Sequence, residues 1–424
     1  MSINRLQAPA YSINFSFPEI TPDKVILNNK IPVYIINAGS QALSKIEMVF
    51  NAGNYFETSS LIANATNALL REGTTSKSAG EIAELLDYYG AFLETSVYKD
   101  KASVILYTLN KHLHHTLPVL VDLVQNAIFP EKELHLYKTN QKQKFLVNQQ
   151  KVDFIARNHF NNLLFKNTAY DQFVKEEDYD ALSQMQVQHF FKERYSGSGL
   201  YLVLAGAITD DVINQVKATA GTIVLKNEES KSQYSNLNHG RAELFIEKQD
   251  AMQSAIRIGR RLFNKTHTDY FGMQILNTVL GGYFGSRLMS NIREDKGYTY
   301  GIGSGIASLL HDGFFYISTE VGVDVTKATL IEIYKEIEKL QNELISDNEL
   351  DLVKNYMLGT FLRSVDGPFA MSEKFTAIKD YGLTNEFYHT YVNYIKQAKA
   401  EELMLLAQKY LSKNDLSELV VGKI

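Results

Sequence analysis

The alternation of apolar and polar positions along the chain predicts strands and helices in a repeating order. Residues 102–107 (ASVILY) and 313–318 (GFFYIS) read as β-strands, because β-branched and aromatic side chains are favoured on a pleated surface. Residues 117–125 and 330–344 carry apolar side chains at helical spacing. Each strand precedes a helix, so the pattern predicts an α+β fold.

Two pairs of segments repeat at one offset. The sequence ELHLYK at 133–138 and the sequence ELDLVK at 349–354 lie 216 residues apart (349 − 133). Two apolar segments that end in Gly206 and Gly422 lie 216 residues apart as well (422 − 206). Two matches in the same order at one offset indicate a duplicated unit of about 200 residues.

The duplication predicts two homologous halves, each a largely antiparallel β-sheet with helices packed on one face. We place an N-terminal domain at 1–225 and a C-terminal domain at 242–424. Residues 226–241 (KNEESKSQYSNLNHGR) are polar and rich in turn-forming side chains, which is typical of a linker. The alternative is a long surface loop within one domain.

The composition excludes several classes of function. A net charge of -5 offers no basic surface for nucleic acid, and the lack of cysteine excludes disulfides and thiolate metal sites. No run approaches the ~20 apolar residues that cross a bilayer, and residues 1–17 lack the basic start and apolar run of a signal peptide. We therefore expect no nucleic-acid or membrane partner and a cytoplasmic location, with the periplasm as the alternative.

The most informative segment is 280–300, LGGYFGSRLMSNIREDKGYTY. Its glycine pair would end a preceding helix at a position that needs a positive φ. Arg293 and Tyr300 lie seven residues apart across a glycine turn, so both side chains could face one cleft.

The N-terminal half carries a second pattern. Residues 71–74 (REGT) are followed by 78–82 (SAGEI) and by Gly90-Ala91. Together with 280–300, this order resembles peptidase family M16, which includes the insulinase, pitrilysin and mitochondrial processing peptidase types. The resemblance covers roughly residues 15–424 and implies two α+β halves of the LuxS/M16 metallopeptidase type.

Active members of that family carry an H-x-x-E-H motif, in which two histidines bind zinc and the glutamate activates water. The resemblance places this motif on residues 64–68 (NATNA), so that Asn64 and Ala68 replace the histidines and Asn67 replaces the glutamate. An amide has no proton-accepting carboxylate, and Ala68 has no donor atom. The third ligand of the family would fall within 142–150 (KQKFLVNQQ), which has no acidic residue. We therefore expect this chain to bind no metal and to hold no catalytic residue of its own.

Other candidate chemistry is weaker. The histidines within 112–115 (HLHH) have no carboxylate at metal-ligand spacing nearby, which favours a structural or solvated role. Residues 301–305 (GIGSG) match neither the G-x-S-x-G elbow of hydrolases nor a phosphate loop that opens a helix. They are more plausibly strand backbone beside Tyr300.

The resemblance implies a division of labour between two chains that close like a clamshell around a chamber. In the two-chain bacterial members, one chain carries zinc and the other supplies an Arg/Tyr pair near the partner's metal. This chain resembles the subunit without zinc, with Arg293 and Tyr300 as substrate-binding and oxyanion-stabilising residues. The partner would be a zinc-bearing M16 paralogue or a second copy of this chain.

The substrate would be an unfolded peptide that adds as a strand to a sheet edge, either after Tyr300 or near 94–98. The alternatives are a peptide-binding or structural homodimer with no proteolytic role, and an enzyme with an unrelated site. Arg293 could instead pair with a carboxylate on a helix face, and Tyr300 could be an ordinary sheet residue. The retained pair favours a subunit that is inactive alone and forms part of a metalloendopeptidase complex.

Overall fold

The computed structural model describes residues 16–197, 199–226 and 240–424. The predicted linker lies mostly outside the described residues, since 227–239 are not among them. The domain boundaries at 225 and 242 therefore stay a prediction.

The N-terminal half forms six strands and eight α-helices among the described residues. The strands are β1 (Asp23–Ile26), β2 (Pro32–Asn37), β3 (Leu43–Phe50), β4 (Phe92–Val97), β5 (Ala102–Leu109) and β6 (Tyr201–Gly206). The helices are α1 (Ile62–Leu69), α2 (Ala79–Tyr88), α3 (Leu113–Asn126), α4 (Glu131–Asn148), α5 (Val152–Phe165), α6 (Glu176–Ala181), α7 (Gln184–Arg194) and α8 (Asp210–Ala220).

The C-terminal half forms five strands and six α-helices among the described residues. The strands are β7 (Glu243–Glu247), β8 (Gln253–Leu262), β9 (Ile302–Ser308), β10 (Gly313–Gly322) and β11 (Ser417–Gly422). The helices are α9 (Tyr270–Asn277), α10 (Thr326–Asn342), α11 (Asp347–Arg363), α12 (Gly367–Lys379), α13 (Glu386–Gln397) and α14 (Ala400–Tyr410). The strands and helices predicted from the apolar pattern are confirmed, with ends that shift by a few residues.

The two sheets repeat one strand order, which confirms the α+β fold and the duplication. The first sheet runs β1-β2-β6-β3-β5-β4 and the second runs β7-β11-β8-β10-β9. Only the β2–β6 and β7–β11 pairs are parallel among the described strands. The elements α4 and α11, α7 and α14, and β6 and β11 each begin 216 residues apart, as the ELxLxK repeat predicts.

Each sheet is covered on its second face by one helix from the other half. Helix α5 packs its apolar residues Val152, Ala156 and Phe160 against Leu419 and Val421 of β11. Helix α12 packs reciprocally on β2 and β6, and this contact buries apolar surface on both halves. The expectation of helices on one face therefore holds within each half, whereas the exchange of α5 and α12 joins the two halves.

Polar contacts accompany this exchange. Asp153 of α5 pairs with Arg257 of β8. Asp380, directly after α12, pairs with Lys101 at 3.2 Å and accepts a hydrogen bond from the Tyr201 hydroxyl at 3.0 Å. Apolar burial and ion pairs thus hold the halves in one arrangement.

Two further observations concern the histidines within 112–115 and membrane-spanning helices. His115 lies on α3 and stacks on Tyr89 with 4.3 Å between ring centroids, which agrees with a structural role. Within the described ranges, no helix combines the length and apolar character that a membrane span requires. The cytoplasmic location stays a prediction.

Candidate functional site

Helix α1 carries residues 64–68, on which the resemblance places the zinc motif, and Asn67 on this helix is a core residue. Its side chain is 2% exposed. The amide nitrogen donates to the Tyr195 hydroxyl at 2.9 Å and to the Ser103 carbonyl oxygen at 3.3 Å. The amide therefore joins α1 to α7 and β5, and its donors are used inside the fold.

The start of α1 depends on a carboxylate upstream. Leu61 precedes the helix with φ of 76°, a backbone conformation that L side chains rarely adopt, and gives no side-chain cap. Instead, Glu57 accepts a hydrogen bond from the Ala63 backbone at 2.8 Å. Burial raises the pKa of Glu57 to about 7, although the bond from Ala63 opposes this shift. Glu57 therefore satisfies a backbone N–H group at the N-terminus of α1.

A cavity of about 370 Å³ opens beside α1, and we call it the α1 cavity. Its lining comes from α1, β4, α4 and α6 and consists of Leu61, Asn64, Asn67, Ala68, Thr95, Ser96, Val97, Tyr137, Gln141 and Tyr179. Helix α4 contributes Tyr137 and Gln141, which precede the segment 142–150 that we expected to hold the third ligand position. One helical turn of α4 separates these two side chains, so both reach the same opening.

Zinc does not fit the α1 cavity. Zinc in proteins is bound by imidazole, thiolate or carboxylate, and the lining offers amides, hydroxyls and apolar groups. Asn67 is turned toward Tyr195 and Ser103. Across the described part of the chain, no group of three or more His, Asp or Glu side chains is placed to hold a metal ion.

Strand β4 forms the edge of the first sheet and borders the α1 cavity through Thr95, Ser96 and Val97. Strand β9 forms the corresponding edge of the second sheet. Both strands that we considered for peptide addition are therefore edge strands, paired on one side only.

A larger cavity of about 550 Å³ lies between the halves on the other side of β4. Two ion pairs lie among its charged groups, Lys45 with Glu47 at 3.3 Å and Lys101 with Asp380 at 3.2 Å. Lys45 also donates a hydrogen bond to Ser372 of α12 at 3.2 Å. Burial raises the pKa of Glu47 and lowers the pKa of Lys265 to about 8. Through its bond to Ser372, Lys45 ties α12 to the first sheet.

Arg293 lies in a π-helical turn, Met289–Asp295, and is half-buried. Its guanidinium carbon lies 4.6 Å from the ring centroid of Phe284, which is itself 62% exposed. Among the residues that the structure describes, Arg293 forms no ion pair. Among the described residues, Arg293 therefore does not form the helix-face salt bridge that we considered as the alternative.

Tyr300 precedes β9 and is 94% exposed. It lines a cavity of about 310 Å³, the Tyr300 cavity, together with Asp153, Gln253 and residues of β10. Arg293 is not part of this lining. The neighbouring Thr299 hydroxyl bonds to the Glu320 carbonyl at 2.7 Å, so the backbone is held while the Tyr300 side chain extends into solvent.

The glycine pair in the signature has a different role from the one predicted. Neither Gly281 nor Gly282 has a positive φ, and both lie in the π-helical turn Thr278–Gly282. A Cβ on Gly281 would lie 2.6 Å from the Ser304 hydroxyl, so glycine is needed there for close packing against β9. The turn before Tyr300 does use a positive φ, at Gly297 with 68°.

Comparison with known families shows which family the chain belongs to. Residues 33–190 match the family model described as insulinase (peptidase family M16), and residues 181–357 match the model described as peptidase M16 inactive domain. The chain belongs to peptidase family M16.

M16 relatives differ in whether they are named as peptidases. A Bacillus subtilis protein named uncharacterized zinc protease YmxG is 23% identical over 342 residues, 80% of this chain and 83% of that protein. A Helicobacter pylori protein named non-peptidase homolog YmxG is 22% identical, covering 93% and 92%. An M16 inactive-domain crystal structure from Pseudomonas fluorescens has a TM-score of 0.86 at 21% identity, covering 95% and 98%, and so supports the fold.

Sequence reasoning missed Tyr137, Gln141 and Tyr179 as partners of the α1 segment. The ELxLxK repeat and the expected third-ligand segment 142–150 both pointed to α4, and helical spacing from Glu133 could have marked the face that carries Tyr137 and Gln141. Nothing in the sequence around α6 indicated that Tyr179 would line the α1 cavity.

Proposed function

We propose that this chain is the non-catalytic subunit of an M16-type zinc peptidase and pairs with a zinc-bearing M16 chain around an enclosed chamber. In that complex, Arg293 and Tyr300 reach a peptide held near the partner's metal. The observation that carries the proposal is the exposure of Tyr300, which is 94% accessible at a sheet edge. Among the described residues, its hydroxyl has no hydrogen-bond partner, so it is free to donate a hydrogen bond to another molecule.

The chemistry of the pair suits peptide hydrolysis. Attack on a peptide carbonyl develops negative charge on oxygen, which donors held in a water-poor chamber stabilise. Tyr300 offers a neutral hydroxyl donor and Arg293 a permanently charged one. The Phe284 ring beneath the guanidinium would help to orient Arg293 without neutralising it.

Edge strands supply the peptide-binding part of the proposal. An extended peptide that pairs with β4 or β9 gains backbone hydrogen bonds whatever its sequence, which favours unfolded substrates. The zinc and the water-activating glutamate belong to the partner in this account, and this chain contributes no cofactor.

Reconstitution tests the proposal. The chain mixed with a zinc-bearing M16 chain of the same organism should form a stable complex that cleaves a quenched fluorescent peptide. Tyr300→Phe should lower kcat by about 10- to 1,000-fold, the usual cost of losing an oxyanion donor. Tyr298→Phe is the matched control, because it removes a hydroxyl two residues away on a ring that packs against the core.

Two outcomes would count against the proposal. If Tyr300→Phe and Tyr298→Phe complexes cleave at the same rate, Tyr300 has no role in the reaction. If the chain forms a stable dimer with itself and ignores every zinc-bearing M16 chain offered, the peptide-binding or structural homodimer is the better description.

A further inference from the structure

The α1 cavity lies beside residues 64–68, on which the resemblance places the zinc motif, and its lining has a consistent chemistry of its own. The lining contains no charged side chain. Its polar groups are the amides of Asn64, Asn67 and Gln141, the phenols of Tyr137 and Tyr179, and hydroxyls of β4. Every one of these groups is neutral, and most can both donate and accept a hydrogen bond.

Several of these groups are left without a protein partner. Over the described ranges, the amides of Asn64 and Gln141 and the hydroxyls of Tyr137 and Tyr179 make no hydrogen bond within the chain. Burial raises the pKa of Tyr137 and of Tyr179, so both phenols remain protonated donors at neutral pH. Asn64 is exposed, whereas Tyr137 and Gln141 are half-buried and Tyr179 is buried. The three less accessible groups are costly to leave without partners unless a ligand or water satisfies them.

The position of the α1 cavity beside an edge strand limits what can enter it. Thr95, Ser96 and Val97 of β4 form one wall, and β4 is unpaired on its outer side. A peptide that adds to this edge directs alternate side chains to opposite faces of the sheet. One side chain in two would therefore point toward the α1 cavity.

We propose that the α1 cavity is a side-chain subsite for the uncharged amide of an asparagine or glutamine in an extended peptide paired along β4. This inference rests on the peptide-binding part of the proposed function and does not require a zinc-bearing partner. An amide brings one acceptor and two donors, which match the mixed phenol and amide lining.

Charged and apolar side chains fit the α1 cavity less well. A carboxylate would lose its hydration without gaining a cation from the lining. A lysine would find no carboxylate in the lining. A leucine would leave the two phenols and two amides unpaired and cut off from water.

Peptide binding to the isolated chain tests the subsite. Short fluorescein-labelled peptides of Ser and Thr would carry one guest residue, Gln, Glu, Lys or Leu, at each position in turn, with Kd read from fluorescence anisotropy. At one register, the Gln guest should bind about 3- to 10-fold more tightly than Leu, the range set by one or two net hydrogen bonds. The Glu guest should bind most weakly.

Variants of α4 assign this preference to the cavity. Gln141→Leu should remove the advantage of the Gln guest, whereas Gln143→Leu should leave it intact, because Gln143 is exposed on the same helix and lies outside the lining. Gln141→Lys should reverse the order and make the Glu guest bind more tightly than the Gln guest. Circular dichroism of each variant confirms that α4 remains folded.

The results separate this inference from the proposed function. If all four guests bind within twofold at every position, if no peptide binds, or if Gln143→Leu has the same effect as Gln141→Leu, the subsite does not exist. Reconstituted proteolysis would still support the proposed function in each case. A clear Gln preference with no reconstitution by any zinc-bearing M16 chain would retain the subsite and refute the subunit role.

Discussion

Replacing Asn67 with leucine tests whether this position, on which the resemblance places the glutamate of the zinc motif, is part of the core. The substitution keeps the side-chain size and removes two donors. The Tyr195 hydroxyl and the Ser103 carbonyl lose bonds of 2.9 and 3.3 Å, and Tyr195 is 1% exposed, so water cannot replace the amide. At about 0.5–1.5 kcal/mol per net hydrogen bond, plus the cost of an unsatisfied buried hydroxyl, the loss should be about 2–3 kcal/mol.

Urea unfolding followed by far-UV circular dichroism measures this loss, since the chain has no tryptophan to report fluorescence. Asn64→Leu is the matched control one helical turn away, and it should change the free energy of unfolding by less than about 0.5 kcal/mol because Asn64 is exposed. A double-mutant cycle with Tyr195→Phe should give a coupling energy of about 1 kcal/mol. A cost for Asn67→Leu equal to that of Asn64→Leu would refute the structural role of Asn67.

Two further predictions concern stability. The pKa of Glu57 is raised from 4.5 to about 7 in the folded chain, so its contribution to stability is fully present below about pH 4.5 and is lost as the pH rises through about 7. Glu57→Gln should flatten this fall in urea midpoints, and an unchanged slope would contradict the assignment. Asp380→Ala removes the carboxylate that pairs with Lys101 and accepts the hydrogen bond from the Tyr201 hydroxyl, so it should cost about 2 kcal/mol in the same assay. Asp415→Ala, which breaks a more exposed pair with Arg260, should cost less than about 1 kcal/mol.

The sequence predicted what depends on local pattern. Strand β5 and helix α3 follow from their apolar spacing, and the ELxLxK repeat located α4 and α11 and the offset between the halves. It did not predict the exchange of α5 and α12, because an apolar helix face does not reveal which sheet it will cover.

The features of the candidate site also divide into those that the sequence predicted and those that it did not. The prediction that the zinc motif is missing at 64–68 rests on the family resemblance and on the residue types there, and it stays a prediction. The inward turn of Asn67, the approach of Gln141 and the packing of Gly281 against Ser304 depend on elements distant in sequence, and spacing within one segment carries no information about them. A positive φ predicted for the glycine pair was wrong for this reason.

The central claim is that the chain holds no catalytic centre of its own and completes one in a partner. The most direct test is a titration of a zinc-bearing M16 chain with increasing amounts of this chain, with the rate of chelator-sensitive peptide cleavage as the signal. We expect no cleavage by this chain alone and a rate that rises and saturates at an equimolar ratio. Chelator-sensitive cleavage by this chain alone, or a rate that does not respond to its addition, would contradict the account.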